Sequence, residues 1–262
     1  MDPARRRLEM AALVARSGRQ SVEALARAFA VSVETVRRDL ARLAADGLVQ
    51  KVHGAAVHAR LAAEGSLRDR MAEDAAGKRA IAEALAEHVS PGETLFIDTG
   101  STTLAAAKAL ARVHRLTVVT NASAVADALA AAPEGRTFLL GGAWRAENGQ
   151  TVGAHTVEDV ARYRADAAVL TVAAIDAEAG AMDADAEEAA VARAMIASAR
   201  RTIVLAAASK FGRRAGFLVC RHRAIDVLIC DSAPAGRLAE VLHGAGVAVV
   251  AAGEGNAAGR AA

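Results

Sequence analysis

Seven apolar runs of four to six residues, at 94–97, 116–120, 137–140, 167–172, 202–205, 227–230 and 247–250, constrain this fold more than any other feature. Most are apolar without alternation, so neither face of such a strand meets water. Segments of helical length separate most of them. Strands of this kind, joined by helices, form a mostly parallel sheet covered on both sides. Residues 77–252 therefore read as one α/β domain, opened by a helix over 77–89 that Ser90-Pro91-Gly92 stops. Residues 253–262 read as a flexible tail.

The chain is 53% hydrophobic but only 3% aromatic, so its core must be built from Ala, Val and Leu. Cys220 and Cys230 are too few for a disulfide framework or a four-cysteine zinc site, and their apolar neighbours suit buried thiols. Nothing in the sequence supports a metal or redox cofactor. No apolar run approaches the ~18 residues of a membrane span. The start, Met1-Asp2-Pro3-Ala4-Arg5-Arg6-Arg7, lacks the apolar stretch of a secretory signal. A cytoplasmic protein with no membrane partner is expected.

Charge is uneven along the chain. Residues 1–60 hold 11 Lys and Arg against 6 Asp and Glu, leaving 21 and 24 of the chain's 32 and 30 for the rest. A basic head on a mildly acidic body fits a polyanionic partner. Leu8, Ala11, Ala12 and Ala15 recur at helical spacing, and Ser17-Gly18 closes that helix. Ser21 can cap a second helix over 22–29, and Ser32 a third. In the third, Val36, Leu40 and Leu43 must face inward, which turns Glu34, Thr35, Arg37 and Arg38 outward; Gly47 ends it. Alternation over 48–57 predicts a hairpin, a wing carrying Lys51 and His53. Residues 1–57 thus read as a winged helix-turn-helix whose third helix enters the major groove of duplex DNA. Its candidate contacts are Ser32, Glu34, Thr35, Arg37, Arg38, Lys51 and His53, with guanidiniums to bond guanine or grip phosphate. The bland alternative is a solvated helical face that happens to carry arginines. Residues 58–76, of mixed charge and no apolar period, read as a linker.

The wording of the head is more specific than its layout. Val31-Ser32-Val33-Glu34-Thr35-Val36-Arg37-Arg38-Asp39-Leu40, then Leu43, Gly47-Leu48-Val49 and Lys51-Val52-His53-Gly54, resembles the head of the DeoR family of bacterial transcription regulators. Ala55 departs from the pattern, standing where the second wing glycine is usual.

Further along, polar groups gather just past the apolar runs, where ligands sit in parallel sheets. Run 94–97 leads into Asp98-Thr99-Gly100-Ser101-Thr102-Thr103 and a helix start, whose free N–H groups make an anion seat. Run 116–120 ends at Asn121, and 137–140 leads into Gly141-Gly142 and the fork of Arg145. Asp183, Asp185 and Glu188 open a later helix, and Lys210 follows run 202–205. Each has an ordinary reading: Ser and Thr cap helices, paired glycines make turns, carboxylates favour helix starts, and loop lysines are solvated. Recurrence at successive strand ends favours a ligand site.

The resemblance to the DeoR family continues through Phe96-Ile97-Asp98 with Gly100-Ser101-Thr102, Val119-Thr120-Asn121, Gly141-Gly142 with Arg145, Glu187-Glu188 and Ser209-Lys210-Phe211. It implies an effector domain similar to the ribose-5-phosphate isomerase and CoA-transferase-like fold, which binds phosphorylated sugars or polyols. The spacing is most similar to the glycerol-3-phosphate repressor branch, making glycerol 3-phosphate one candidate effector. The site so implied is Asp98, Gly100, Ser101, Thr102, Thr103, Asn121, Gly141, Gly142, Arg145, Asp185, Glu188 and Lys210. Ala206-Ala207-Ala208 departs where an Asp is common, and Val172-Ala173-Ala174 replaces glycines, which narrows the pocket. The expectation is a repressor, a homo-oligomer of two or four chains, that releases operator DNA on binding its effector. The alternative is a sugar-phosphate isomerase-like enzyme with an appended head, using Asp98 or Asp176 as base.

Overall fold

A computed structural model describes residues 3–17, 19–45, 49–52, 55–58, 67–130 and 132–253. The chain forms two compact units, Met1–Ala63 and Glu64–Ala262, here called head and body.

The head contains α1 (Pro3–Ser17), β1 (Arg19–Ser21), α2 (Val22–Phe29), α3 (Val33–Ala45), β2 (Val49–Val52) and β3 (Ala55–His58). Caps set its helix starts: the Ser21 hydroxyl accepts from the Ala24 amide at 3.0 Å, and Ser32 from the Thr35 amide at 3.1 Å. Val36, Leu40 and Leu43 of α3 bury against Met10 and Val14 of α1, Val22 and Leu25 of α2, and Val49. These few aliphatic side chains are the whole fully buried core described for the head. The wing has a third strand that the sequence did not suggest, because Arg19-Gln20-Ser21 is short and polar; β1 and β2 flank β3, both antiparallel. Gly47, His53 and Gly54 lie outside the described residues, as do 59–66 of the linker and 254–262 of the tail.

The body begins with α4 (Leu67–Ala72) and α5 (Ala75–Glu87). The helix α4 lies inside the stretch read as linker; the buried Lys78 of α5 holds it, donating to Arg70 O and to Glu73 O at 2.6 Å, a contact that composition does not reveal. Then follow β4 (Thr94–Ile97), α6 (Ser101–Leu110), β5 (Thr117–Thr120), α7 (Ser123–Leu129) and β6 (Arg136–Leu139). A hairpin, β7 (Ala143–Arg145) and β8 (Gln150–Val152), leads to α8 (Ala154–Val160) and β9 (Ala165–Thr171). Next come β10 (Ala174–Asp176), β11 (Gly180–Asp183), α9 (Ala186–Ala197) and β12 (Ala199–Leu205). The chain continues with β13 (Phe217–Cys220), β14 (Val227–Cys230), α10 (Gly236–Gly244) and β15 (Ala248–Ala251).

All seven anticipated runs pair in one sheet, ordered β15-β14-β12-β9-β4-β5-β6 and parallel throughout. Successive side chains alternate between two aliphatic layers. Leu95, Ile97, Val118, Val169, Ile203 and Leu205 pack with Ile81 and Leu85 of α5, Leu110 of α6 and Leu129 of α7. Phe96, Val119, Ala168, Leu170 and Val204 pack on the other face with Val160, Met195 and Leu242. Both thiols are buried, and burial pushes Cys220 up to about 11. The hairpin and the small sheet β10-β11-β13 were not anticipated; strands of three or four residues carry too few positions to show a period. No helix among the described residues is long and apolar enough to cross a membrane.

The strand order reverses between β4 and β9: from β4 the chain moves to β5 and β6, from β9 to β12 and β14. A crevice beyond the carboxyl ends at such a switch point is where open α/β sheets hold ligands.

Candidate functional site

On the head, burial of Val36 and Leu40 leaves Ser32, Glu34, Arg37 and Arg38 exposed along one side of α3, with Thr35 half-buried beside them. The Ser32 and Thr35 hydroxyls are 2.9 Å apart, and Glu34 lies 3.8 Å from Arg37. One charged residue in this run points the other way. Asp39 is buried, accepting from Arg6 Nε at 2.7 Å with Arg7 at 3.7 Å, so it ties α1 to α3. Sequence reasoning missed it because a carboxylate after two arginines reads as surface charge. Lys51 falls on β2 opposite Ala56, and His53 lies outside the described residues.

In the body, a narrow cleft at the switch point is lined by Asp98, Thr99, Asn121, Gln150, Asp183 and Glu188, with Val191 and Ala192 behind. Asp98 follows β4, and both its oxygens accept from the Thr171 amide at the end of β9, at 3.0 and 3.1 Å. Asn121 follows β5; its amide nitrogen donates to Thr151 O at 2.9 Å and Gln150 Oε1 at 3.3 Å. Gln150 and Asn148 donate to Glu188 Oε1 at 2.5 and 3.0 Å. Two buried oxygens lining the cleft have no partner: Thr99 Oγ1 and Asn121 Oδ1. Buried polar atoms are nearly always bonded, so two orphans lining one cleft mark a place where another molecule supplies the bond.

Beside this cleft α6 begins. Gly100 precedes it and has no side chain to cap the first N–H groups of the helix, which a helix start can offer to an anion. Thr171 is packed so tightly on Gly100 that a Cβ there would lie 2.2 Å from its methyl group, which excludes any larger residue. The Thr171 hydroxyl in turn accepts from Lys210 Nζ at 3.4 Å, and Lys210 also donates to Val172 O. The site therefore has two ends, one acidic and amide-rich, the other cationic. Burial drives Asp98 well above the ordinary carboxylate range, against the pull of the Thr171 amide, with Asp183 and Glu188 adding to the rise. Burial likewise raises Glu188.

Of the residues expected to bind effector, Asp98, Asn121 and Glu188 line the cleft, Gly100 shapes the adjoining helix start, and Lys210 reaches it through Thr171. Ser101, Thr102 and Thr103 are buried in the first turn of α6, and the Thr103 hydroxyl turns back to Gly100 O at 3.1 Å. Gly141 and Gly142 do not line it. Gly142, at φ 145°, has its α-carbon against Thr156, and the Thr156 hydroxyl donates to Gly141 O at 2.8 Å. Arg145, half-exposed on β7, pairs with Glu187 and lies 3.6 Å from Asp185. Asp185 caps α9, accepting from the Glu187 and Glu188 amides at 2.8 and 3.1 Å. Sequence reasoning missed Thr99, Gln150 and Thr171, single polar residues without a motif; position at a strand end was their only signal. Among the described residues no group of three or more His, Cys, Asp or Glu is placed to hold a metal.

Residues 6–60 match the DeoR-like helix-turn-helix domain, and residues 73–232 match the DeoR C terminal sensor domain. The chain belongs to the DeoR family. The glycerol-3-phosphate regulon repressor of Escherichia coli (strain K12) is 34% identical over 230 residues, covering 88% of this chain and 91% of that protein. The HTH-type transcriptional repressor CsqR of the same organism is 31% identical over 238 residues, covering 91% of each. Ribose 5-phosphate isomerase A of Methanocaldococcus jannaschii has 13% identity and a TM-score of 0.38, over 51% of this chain and 53% of that one. This DeoR-family chain is a DNA-binding transcriptional repressor and not an enzyme. The isomerase alternative is set aside by that membership.

Proposed function

We propose that the body of this repressor binds a small phosphorylated polyol or sugar, glycerol 3-phosphate foremost, and that the bound effector lowers the head's grip on operator DNA. The single observation that carries this reading is the pair of orphaned oxygens, Thr99 Oγ1 and Asn121 Oδ1, beside an uncapped helix start. Hydroxyl groups of a polyol would meet these oxygens together with Asp183, Glu188 and Gln150. Its phosphate would meet the α6 amides and Lys210. The 34% identity to a glycerol-3-phosphate regulon repressor supports the same choice. In this reading Ser32, Glu34, Thr35, Arg37, Arg38 and Lys51 face the duplex, and an assembly of two or more chains presents paired heads to operator half-sites. Switching from mostly bound to mostly free requires roughly 5.5 kcal/mol of differential affinity between the two states.

The test is a thermal-shift panel of phosphorylated polyols and sugars on the full chain, followed by operator release measured with labelled DNA. Glycerol 3-phosphate should raise the melting temperature of the body and release DNA, while glycerol alone should do neither. The Thr99→Val variant should lose the response while its ligand-free body gains about 1 kcal/mol of stability, since an unbonded buried hydroxyl is removed. Stabilisation by none of the panel, or release unaffected by Thr99→Val, overturns the proposal.

A further inference from the structure

The seven-stranded sheet has two edges, β15 and β6, and among the described residues no further strand pairs with either. The edges differ. β15 carries only Ala and Val, whereas β6, Arg136-Thr137-Phe138-Leu139, presents larger groups. Leu139 is more than half exposed. Phe138 is half-buried on the other face, its ring 5.7 Å from that of Tyr163 and 5.2 Å from the Arg136 guanidinium. Past the end of β6, the Thr151 hydroxyl donates to Leu140 O at 2.9 Å, and Thr151 stands opposite Trp144 in the hairpin. That contact brings Trp144 to the end of the same edge. A chain with 3% aromatic residues leaves its single tryptophan more than half exposed there, where a partner would cover it.

The backbone of β6 is also open. The Arg136 and Leu140 amides donate to Leu116 O and Thr120 O, both at 2.8 Å, so these alternate positions bond to β5. Thr137 and Leu139 then turn their N–H and C=O groups outward. Edge strands are usually blunted by Lys, Pro or a bulge, and β6 has none of these. Its one charge, Arg136, lies over the strand's own Phe138.

A second copy of this strand fits the edge. Antiparallel pairing about a two-fold axis at Phe138 sets Thr137 of each copy opposite Leu139 of the other, which bonds every outward group. The two Phe138 side chains then meet across the join. Charge agrees with this pairing. Arg115, bonded through its amide to Pro133 O at 3.0 Å, stands with Glu134 and Arg136 at the start of β6, leaving that end positive. The hairpin turn beyond the other end carries Glu147, while Arg145 already pairs with Glu187 and Asp185. Arg115, Glu134, Arg136 and Glu147 are all exposed, and among the described residues no ion pair holds them. Antiparallel pairing lays the positive start of one strand against the negative end of the other.

We propose that the β6 edge and Trp144 form a two-fold interface with a second copy of this chain, joining two seven-stranded sheets into one. The inference rests on the assembly in the reading above and gives that assembly its surface. The hairpin that offers Trp144 to the partner also holds Gln150 against Glu188 in the cleft, so partner and effector act on one element.

The experiment is sedimentation of the full chain. Wild type should sediment as a dimer or a larger even assembly. Leu139→Lys changes an exposed side chain, and Thr137→Pro removes only an outward N–H. Each should halve the mass and weaken association by about 10-fold or more, with far-ultraviolet dichroism unchanged. Val249→Lys, on the opposite edge, should leave the mass unaltered. In wild type, the Thr137 and Leu139 amides should exchange slowly with solvent hydrogen at high protein concentration and rapidly on dilution. That measurement decides the matter even where a variant fails to fold. Undiminished mass in both β6 variants, equal halving by Val249→Lys, or exchange at Thr137 and Leu139 independent of concentration overturns the inference and leaves the assembly itself standing. A wild type that is monomeric at every concentration removes both.

Discussion

Asp39 in the head and Asp98 in the body are both buried carboxylates, and the two are satisfied in opposite ways. Asp39 meets two guanidiniums, Arg6 and Arg7. Asp98 meets one backbone amide, with Asp183 and Glu188 near enough to raise its pKa further. The contrast extends beyond these residues. Among the described residues, every buried side-chain polar atom without a partner lies in the body, and two of the three line its cleft. The head has matched its internal charge and displays its chemistry outside, on the exposed side of α3. The body keeps unmatched chemistry inside. A domain that reads a rigid polymer needs a fixed scaffold, whereas one that waits for a small molecule must leave bonds unmade until it arrives.

The contrast can be broken most sharply at Asp39. Asp39→Ala breaks the ion pairs that tie α1 to α3 and should cost the head about 3–5 kcal/mol, seen as loss of its unfolding transition and of operator binding. A head that melts as before would mean the pair is not structural. Arg38→Ala tests the outward half: operator binding should weaken by about 1–3 kcal/mol, or the salt dependence should flatten, with head stability unchanged. Weakened binding accompanied by a destabilised head would blur the division between scaffold and reader. For the body, the folded-state pKa of Asp98 lies above its ordinary 3.8. The stability it contributes is fully present below that ordinary value and is lost as pH rises through the folded one. Asp98→Asn, which cannot ionise, should therefore gain on wild type in body melting temperature as pH is raised from 4 to 8. A constant difference across that range would mean that burial does not hold Asp98 above its ordinary range. The smallest effect belongs to Arg145, an exposed ion pair: Arg145→Ala should change body stability by less than about 1 kcal/mol. An unaltered effector response in the same variant would separate the β7 hairpin from the phosphate site.

Much of this architecture was legible in the residues themselves. Val36, Leu40 and Leu43 can face one core only if α3 turns its arginines outward, and the seven apolar runs admit few arrangements besides a covered parallel sheet. What escaped notice did so for physical reasons. A lone lysine in an amphipathic helix reads as solvated, and only the third dimension reveals that Lys78 lies on the buried stripe with Ile81 and Leu85. Thr99 looks in sequence like any polar residue at a strand end; the resemblance named Asn121, but the absence of a partner that marks both oxygens is something spacing cannot express. Arg145 matched a phosphate-binding pattern, while its carboxylate neighbours Asp185 and Glu187 come from a helix some 40 residues away.

Trp144, next to Arg145 on β7, is the chain's one tryptophan, and Tyr163 its one tyrosine, so both strongly emitting chromophores belong to the body. Trp144 is more than half exposed. Intrinsic ultraviolet emission from the intact repressor is thus a signal from one domain alone, against which the other stays dark. A single dye attached to the head or to its operator would then serve as acceptor, and energy transfer from Trp144 would follow the two domains through each cycle of capture and release.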